Sequence, residues 1–158
     1  MGGSPTEEGL YQDGRAAVAY LGQQGVAPSD IVLIGNSLGS GVATQLATEI
    51  DAHSLILISP FASLTRAVQE KVRWAPVSLV LQDDFDNIGK IGNVTAPILI
   101  IHGVRDDLIV LRHALDLKDA NTSVRLEMIE GAGHELAYLP VAQNPLYDFL
   151  LAVEAQVD

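Results

Sequence analysis

Cysteine is absent from the 158 residues, so disulfides, thiolate metal centres and cysteine nucleophiles are excluded. The absence fits a reducing cytoplasm, the expected location. Basic side chains are scarce: 9 Lys and Arg stand against 20 Asp and Glu, a formal net charge of −11. Such a surface repels nucleic acid and anionic membranes, and neither is expected as a partner. No apolar run approaches the ~20 residues of a membrane span, and no basic–apolar leader opens the sequence. Aromatics are few, at 5%, yet hydrophobic residues make up 48%, which describes a packed chain and not a disordered one. With no internal repeat, low-complexity segment or linker, residues 1–158 read as one domain.

What is present centres on one stretch. Ile31 to Ile34 is a run of β-favouring apolar residues, followed by Gly35-Asn36-Ser37-Leu38-Gly39 and a helix-compatible segment from Leu38 to about Ile50. A bare Gly-x-Ser-x-Gly recurs by chance in about one chain of this length in twenty. A strand before it and a helix after it make the pattern of a nucleophile elbow, which exposes a serine hydroxyl at the end of a sheet. The serine sits in a strained backbone conformation, and the flanking glycines are expected to remove side chains that would clash with strand or helix. The helix start turns its free N–H groups toward the site where an oxyanion forms.

Around this stretch, strands and helices alternate. Ser4-Pro5-Thr6-Glu7 reads as a helix start, with Ser4 at the N-cap, Pro5 at the first helical position and Glu7 completing a capping box, and Leu10, Gly14, Ala17, Val18 and Leu21 fall on one face. Gly22 and Gly25 end that helix. Further strands are expected at 54–59, 97–102 and 124–129, with helices near 111–119 and 141–155. Residues 63–93 read as irregular, with short helical stretches broken by Pro76 and Gly89. The first three strands are apolar without polar alternation, so the sheet should be parallel and covered on both faces.

Ser37, Asp106 and His134 follow three different strands, and functional groups gather at the carboxyl ends of strands in such sheets. A serine hydroxyl needs a base, an imidazole titrates near neutrality, and a carboxylate on the far ring nitrogen fixes the tautomer. Asp107, beside Asp106, is the alternative acid. His102 reads as a turn-stabilising residue, and His53 and His113 read as surface. Asp83, Asp84 and Asp86 lack an accompanying histidine and calcium-loop spacing, so they read as a solvated turn and no metal is expected. No cofactor is implied.

Glu7-Glu8-Gly9-Leu10-Tyr11, Gly35-Asn36-Ser37-Leu38-Gly39, Ser59-Pro60-Phe61, Pro97 to Gly103, Asp106 and Gly133-His134 together resemble the α/β-hydrolase superfamily, and in particular its small lid-less serine hydrolases. The resemblance implies Ser37 as nucleophile, His134 as base and Asp106, in preference to Asp107, as acid. It implies a truncated form of that fold. The four strands correspond to strands 5–8 of the family's eight, as in a carboxyl-terminal half. The family's His-Gly segment, which donates a second oxyanion N–H, has no counterpart.

The Leu38 N–H is then the clear oxyanion donor, with Asn36 beside it and Phe61 near the acyl site. Residues near Gly2 and Gly3, or a partner chain, are candidates for the second donor. The strand from Ile31 to Ile34 becomes an apolar edge, and both faces of that side of the sheet lose cover. A two-fold homodimer through this edge is expected, with a separately encoded chain as the other solution. The expected reaction is hydrolysis of short acyl esters, small-molecule substrates, through an acyl-enzyme. The same triad also serves thioesters and amides, and an inactive assembly module is the reading from another class.

Overall fold

Four strands lie side by side in the order in which the chain makes them, β1 (Val32–Asn36), β2 (Ser54–Ile58), β3 (Ile98–Gly103) and β4 (Arg125–Ile129). The computed structural model describes residues 6–72, 74 and 76–155. All three pairings are parallel, with Leu33 opposite Leu55, Ile56 opposite Leu99, and Ile101 opposite Glu127. Parallel neighbours require crossovers, and the helices supply them. They are α1 (Glu7–Gln23), α2 (Gly39–Ala47), α3 (Leu64–Lys71), α4 (Val77–Val80), α5 (Asn87–Ile91), α6 (Arg112–Ala120) and α7 (Gln143–Glu154). Among the described residues no helix is long and apolar enough to cross a membrane.

The two central strands, β2 and β3, are buried at every position, which is why they carry unbroken apolar runs. Leu33, Leu55, Leu57, Ile98 and Ile100 face α2, α5 and α6. Ile56, Ile58, Leu99 and Ile101 face α7 and the turn that carries Leu136. At the outer strand β1 burial alternates: Leu33 is buried, while Ile34 is 54% exposed. So α2 covers one face of β1 and only the other is open. The expectation that both faces lose cover is thereby corrected.

Helix α1 also differs from the sequence reading. Ser4 and Pro5 lie outside the described residues, but the N-cap is Thr6, whose hydroxyl accepts from the Gly9 N–H at 3.1 Å. Glu7 is therefore the first helical residue and closes no capping box. Gly22 lies inside the helix, which ends at the Gln24 cap, and Gly25 takes the left-handed turn with φ 85°. Tyr11, Gly14 and Val18 face inward, whereas Ala17 and Leu21 are exposed. Gly14 sits close against Leu46 and Val42, so the helix–helix contact fixes which side turns in. Similarly, Gly89 lies within α5 and breaks nothing.

Glu7 has a larger role than capping. Its carboxylate accepts from the Tyr11 hydroxyl at 2.6 Å and from the Asp84 and Phe85 N–H groups at 2.9 and 3.0 Å. Lys90 donates to the Tyr11 hydroxyl at 2.7 Å and lies 3.4 Å from the carboxylate. Burial pushes the Glu7 carboxyl up, but these donors and the Lys90 charge outweigh it and hold the pKa below the usual range. The cluster fixes the 83–86 turn, and Phe85, at φ 46°, lies where a side chain on Gly41 of α2 would be. The three aspartates of that turn each accept from a backbone N–H or cap a helix. Asp83 accepts from the Glu7 N–H, Asp84 from Thr65, and Asp86 caps α5.

Candidate active site

The turn between β1 and α2 is tight because two glycines permit it. A side chain on Gly35 would lie 2.6 Å from the Gly39 carbonyl oxygen and 2.7 Å from the Ser40 Cα. Gly41 gives way to the Phe85 ring in the same manner. Gly39, by contrast, meets nothing within 4 Å among the described residues, so the expected clash at that flanking glycine does not arise. Between them Ser37 adopts φ 50°, a left-handed conformation costly for a residue with a Cβ. Its N–H is held by the Ile58 carbonyl at 2.9 Å, so the end of β2 fixes the turn.

From that turn the Ser37 hydroxyl reaches His134 Nε2 at 2.9 Å. On the other side of the ring, Nδ1 donates to Asp106 Oδ2 at 2.8 Å. Asp106 is itself fixed: its Oδ1 accepts the Leu108 and Ile109 N–H groups at 3.0 and 2.8 Å. Its side chain is fully buried, while that of His134 is 24% exposed. The carboxylate is thus an anchor away from water and the imidazole is the partly exposed member of the pair. Asp107 is exposed, and its carbonyl, not its carboxylate, is the group engaged, accepting from Lys71. The residue pairing His134 is Asp106.

The remaining expected site residues fall nearby. Leu38 stands at the α2 N-terminus, with no hydrogen-bond partner for its N–H among the described residues. Asn36 is exposed at the end of β1. Phe61 is buried and, with Leu64, Ala67, Val68, Leu108 and Ile109, walls an apolar cavity of about 240 Å³ that opens on Ser37. Gly2 and Gly3, considered as oxyanion donors, lie outside the described residues. A wider concavity, about 770 Å³, lies along the other face of α3, past Thr65, Arg66, Gln69 and Glu70, and Ser37, Asp106 and His134 do not border it. No group of three or more metal-ligating side chains is found among the described residues.

Two histidines support the site from beneath. His102 is fully buried and donates from Nε2 to the Ile109 carbonyl at 2.9 Å, across the turn that holds Asp106. This is the turn-stabilising role expected for it. Its Nδ1 has no partner among the described residues. The expectation that His113 lies on the surface is overturned, for it too is fully buried. Its Nδ1 accepts the Ala62 N–H at 3.1 Å and its Nε2 donates to Glu70 at 3.2 Å, tying α6 to the Phe61 turn and to α3. The signal was there in the spacing, because His113 shares a helical face with Val110, Ala114 and Leu117. His53 is half-buried beside Ser54.

Burial is the main cause that pushes both imidazoles below their ordinary pKa. For His102 the Ile109 carbonyl and Asp106 partly restore it, against His113 and His134. For His113 Glu70 and Asp116 pull up and Arg66 pushes down. The folded chain therefore binds fewer protons at these sites than the unfolded chain just below the ordinary value near 6.5. Their contribution to stability is complete above that pH and is lost as pH falls through it. Glu7 and Glu49, whose carboxyls are depressed, act at lower pH. Urea titrations at pH 7.5 and 5.5 are expected to show a lower unfolding free energy at pH 5.5. His113→Gln should flatten that difference, and an unchanged slope would remove His113 from the account.

No family model matches the chain. Among curated relatives, alpha/beta hydrolase domain-containing protein 17B of Homo sapiens is 35% identical over 134 residues, covering 84% of this chain and 45% of that protein. The 17C protein of Xenopus tropicalis is 37% identical over 134 residues, 84% of this chain and 42% of that protein. An uncharacterized protein of Mycobacterium tuberculosis is 38% identical over 135 residues, 84% of this chain and 48% of that protein. The chain spans about half the length of the curated relatives it matches. A carboxylesterase of Nitrososphaera gargenis matches with a TM-score of 0.74 at 14% identity, covering 98% of this chain and 75% of that one. A monoacylglycerol lipase of Paleococcus ferrophilus gives 0.68 at 17%, covering 96% and 77%. At such identities the likeness to the solved structures is one of fold.

Proposed function

The chain belongs to the α/β-hydrolase superfamily, and on that footing we propose that it is a serine hydrolase cleaving short acyl esters through Ser37, His134 and Asp106. The observation that supports this most directly is the unbroken line of contacts, 2.9 Å from Ser37 to His134 and 2.8 Å from His134 to Asp106. In the first step Ser37 Oγ forms a bond to the ester carbonyl carbon as its proton passes to His134 Nε2. Asp106 stabilises the imidazolium through Nδ1–H. The carbonyl oxygen becomes an oxyanion facing the Leu38 N–H. Collapse breaks the bond to the alkoxide, which leaves with the proton from His134. Water then repeats the sequence on the acyl-enzyme, releasing the acid and restoring the serine.

Only one oxyanion donor, Leu38, is identified among the described residues. Losing one of two such donors typically costs about 10²–10³ in turnover, so this chain alone should be slow. The test is therefore twofold. A 4-nitrophenyl butyrate assay compares the chain with Ser37→Ala, and an alkyl fluorophosphonate followed by peptide mass mapping reads covalent labelling at Ser37. Labelling with turnover lost in Ser37→Ala supports the reading. Equal turnover in both proteins, with Ser37 unlabelled, overturns it.

The outer edge of β1, with Ile34 uncovered, supports a two-fold dimer that continues the sheet from β1 of one copy to β1 of another. Size-exclusion chromatography with light scattering should give twice the chain mass at micromolar concentration. A monomer at every concentration would exclude that assembly.

A further inference from the structure

The cavity beside Ser37 specifies more than an ester. Resting on the proposal that Ser37 is acylated, we infer that this cavity is an acyl subsite measured for a straight saturated chain of six to eight carbons. Three observations carry the inference. The first is chemistry: the wall is made of Phe61, Leu64, Ala67, Val68, Leu108 and Ile109, with no polar side chain other than Ser37 and the rim residue Lys71. A glycerol, sugar or peptide moiety would enter it with hydroxyl or amide groups unpaired. A hydrocarbon tail would not.

The second is size. The cavity holds about 240 Å³. A methylene takes up about the same room as a water molecule, roughly 30 Å³, so about eight carbons fill it. Length agrees. Residues 64, 67, 68 and 71 form one face of α3, and at ~1.5 Å of rise per residue that face runs for about 10 Å. An extended eight-carbon chain is of the same reach.

The third is closure. Lys71 ends the α3 face and its ammonium donates to the carbonyl of Asp107, in the same turn that carries Asp106, Leu108 and Ile109. That hydrogen bond ties α3 to the acid turn across the cavity. A tail longer than the cavity has to pass this charged, exposed bridge, so added methylenes beyond the limit gain nothing. The geometry thus sets an upper bound on chain length as well as a preference.

The experiment is a series of 4-nitrophenyl esters from acetyl to dodecanoyl, each kept below its solubility limit, read as kcat/KM. Each methylene that is taken into an apolar site gains about fourfold at best, so the six that separate octanoyl from acetyl set a ceiling of about 4,000-fold, and a rise of about 100-fold, a little over half of that free energy, is expected. Dodecanoyl should exceed octanoyl by no more than about twofold, for want of further apolar wall. Ala67→Phe should move the optimum to butanoyl or shorter, and Lys71→Ala should raise the dodecanoyl-to-octanoyl ratio. Alkyl fluorophosphonates of the same lengths give the unmodified chain an independent reading through their labelling rates at Ser37. A flat profile, or one rising steadily to dodecanoyl, with Ser37 labelled at all lengths, overturns the acyl-length inference and leaves the hydrolase reading intact. No hydrolysis and no labelling at any length defeats the hydrolase reading itself.

Discussion

Asp106→Asn is expected to lower kcat for a short acyl ester by about 10⁴-fold while leaving the urea midpoint nearly unchanged. The direction follows from the two faces of the carboxylate. Oδ1 accepts two backbone N–H groups, from Leu108 and Ile109, and only an oxygen can do that. The asparagine amide must therefore place its oxygen there and turn its NH₂ toward His134. A donor facing Nδ1 forces the ring to carry its proton on Nε2, the atom that has to accept from Ser37. The base is then in the wrong tautomer, although no hydrogen bond has been lost. Turnover within about tenfold of the parent chain would show that Asp106 does not set the tautomer.

Gly35→Ala is expected to cost about 3 kcal/mol of unfolding free energy, against at most about 1 kcal/mol for Gly39→Ala. At position 35 the new methyl group lies 2.6 Å from the Gly39 carbonyl oxygen, 2.7 Å from the Ser40 Cα and 2.8 Å from the Ala43 Cβ. Two of these are backbone atoms, which have no rotamer to change. Strand and helix must separate, and α2 packs directly on β1. At position 39 nothing stands within 4 Å, and alanine is the better helix former. Against a total stability of about 5–15 kcal/mol the first change is severe. Urea titrations of both variants with equal slopes would measure the difference. Equal midpoints would mean that the turn relaxes freely.

The fold and the convergence of Ser37, His134 and Asp106 were legible because both rest on local chemistry. Unbroken runs such as Leu55 to Ile58 and Ile98 to Ile101 can only belong to covered parallel strands, and they do. Ser37, Asp106 and His134 each follow a strand, so their meeting at one end of the sheet is a consequence of topology. What the sequence concealed depends on contacts between distant segments. Glu7 looked like a capping residue, because nothing near it reveals that its partners are Asp84 and Phe85. The two flanking glycines looked equivalent, yet only Gly35 is crowded, since the space at each depends on how α2 is laid against β1. His113 was read by its neighbours in sequence and not by the helical face it shares with Leu117.

The attachment of α1 has a kinetic meaning. Apart from the Tyr11–Glu7 bond within the helix, Glu7 and Tyr11 find their partners 76 to 83 positions further along, so these anchoring contacts are long-range. Closing a loop of that length is entropically unfavourable until both ends already have shape. The anchoring of the first helix to the 83–86 turn is then expected to come late, after the chain between them has taken shape. From that moment the amide hydrogens of Asp84 and Phe85, although they belong to a surface turn, should exchange with solvent as slowly as those of the helix that locks them.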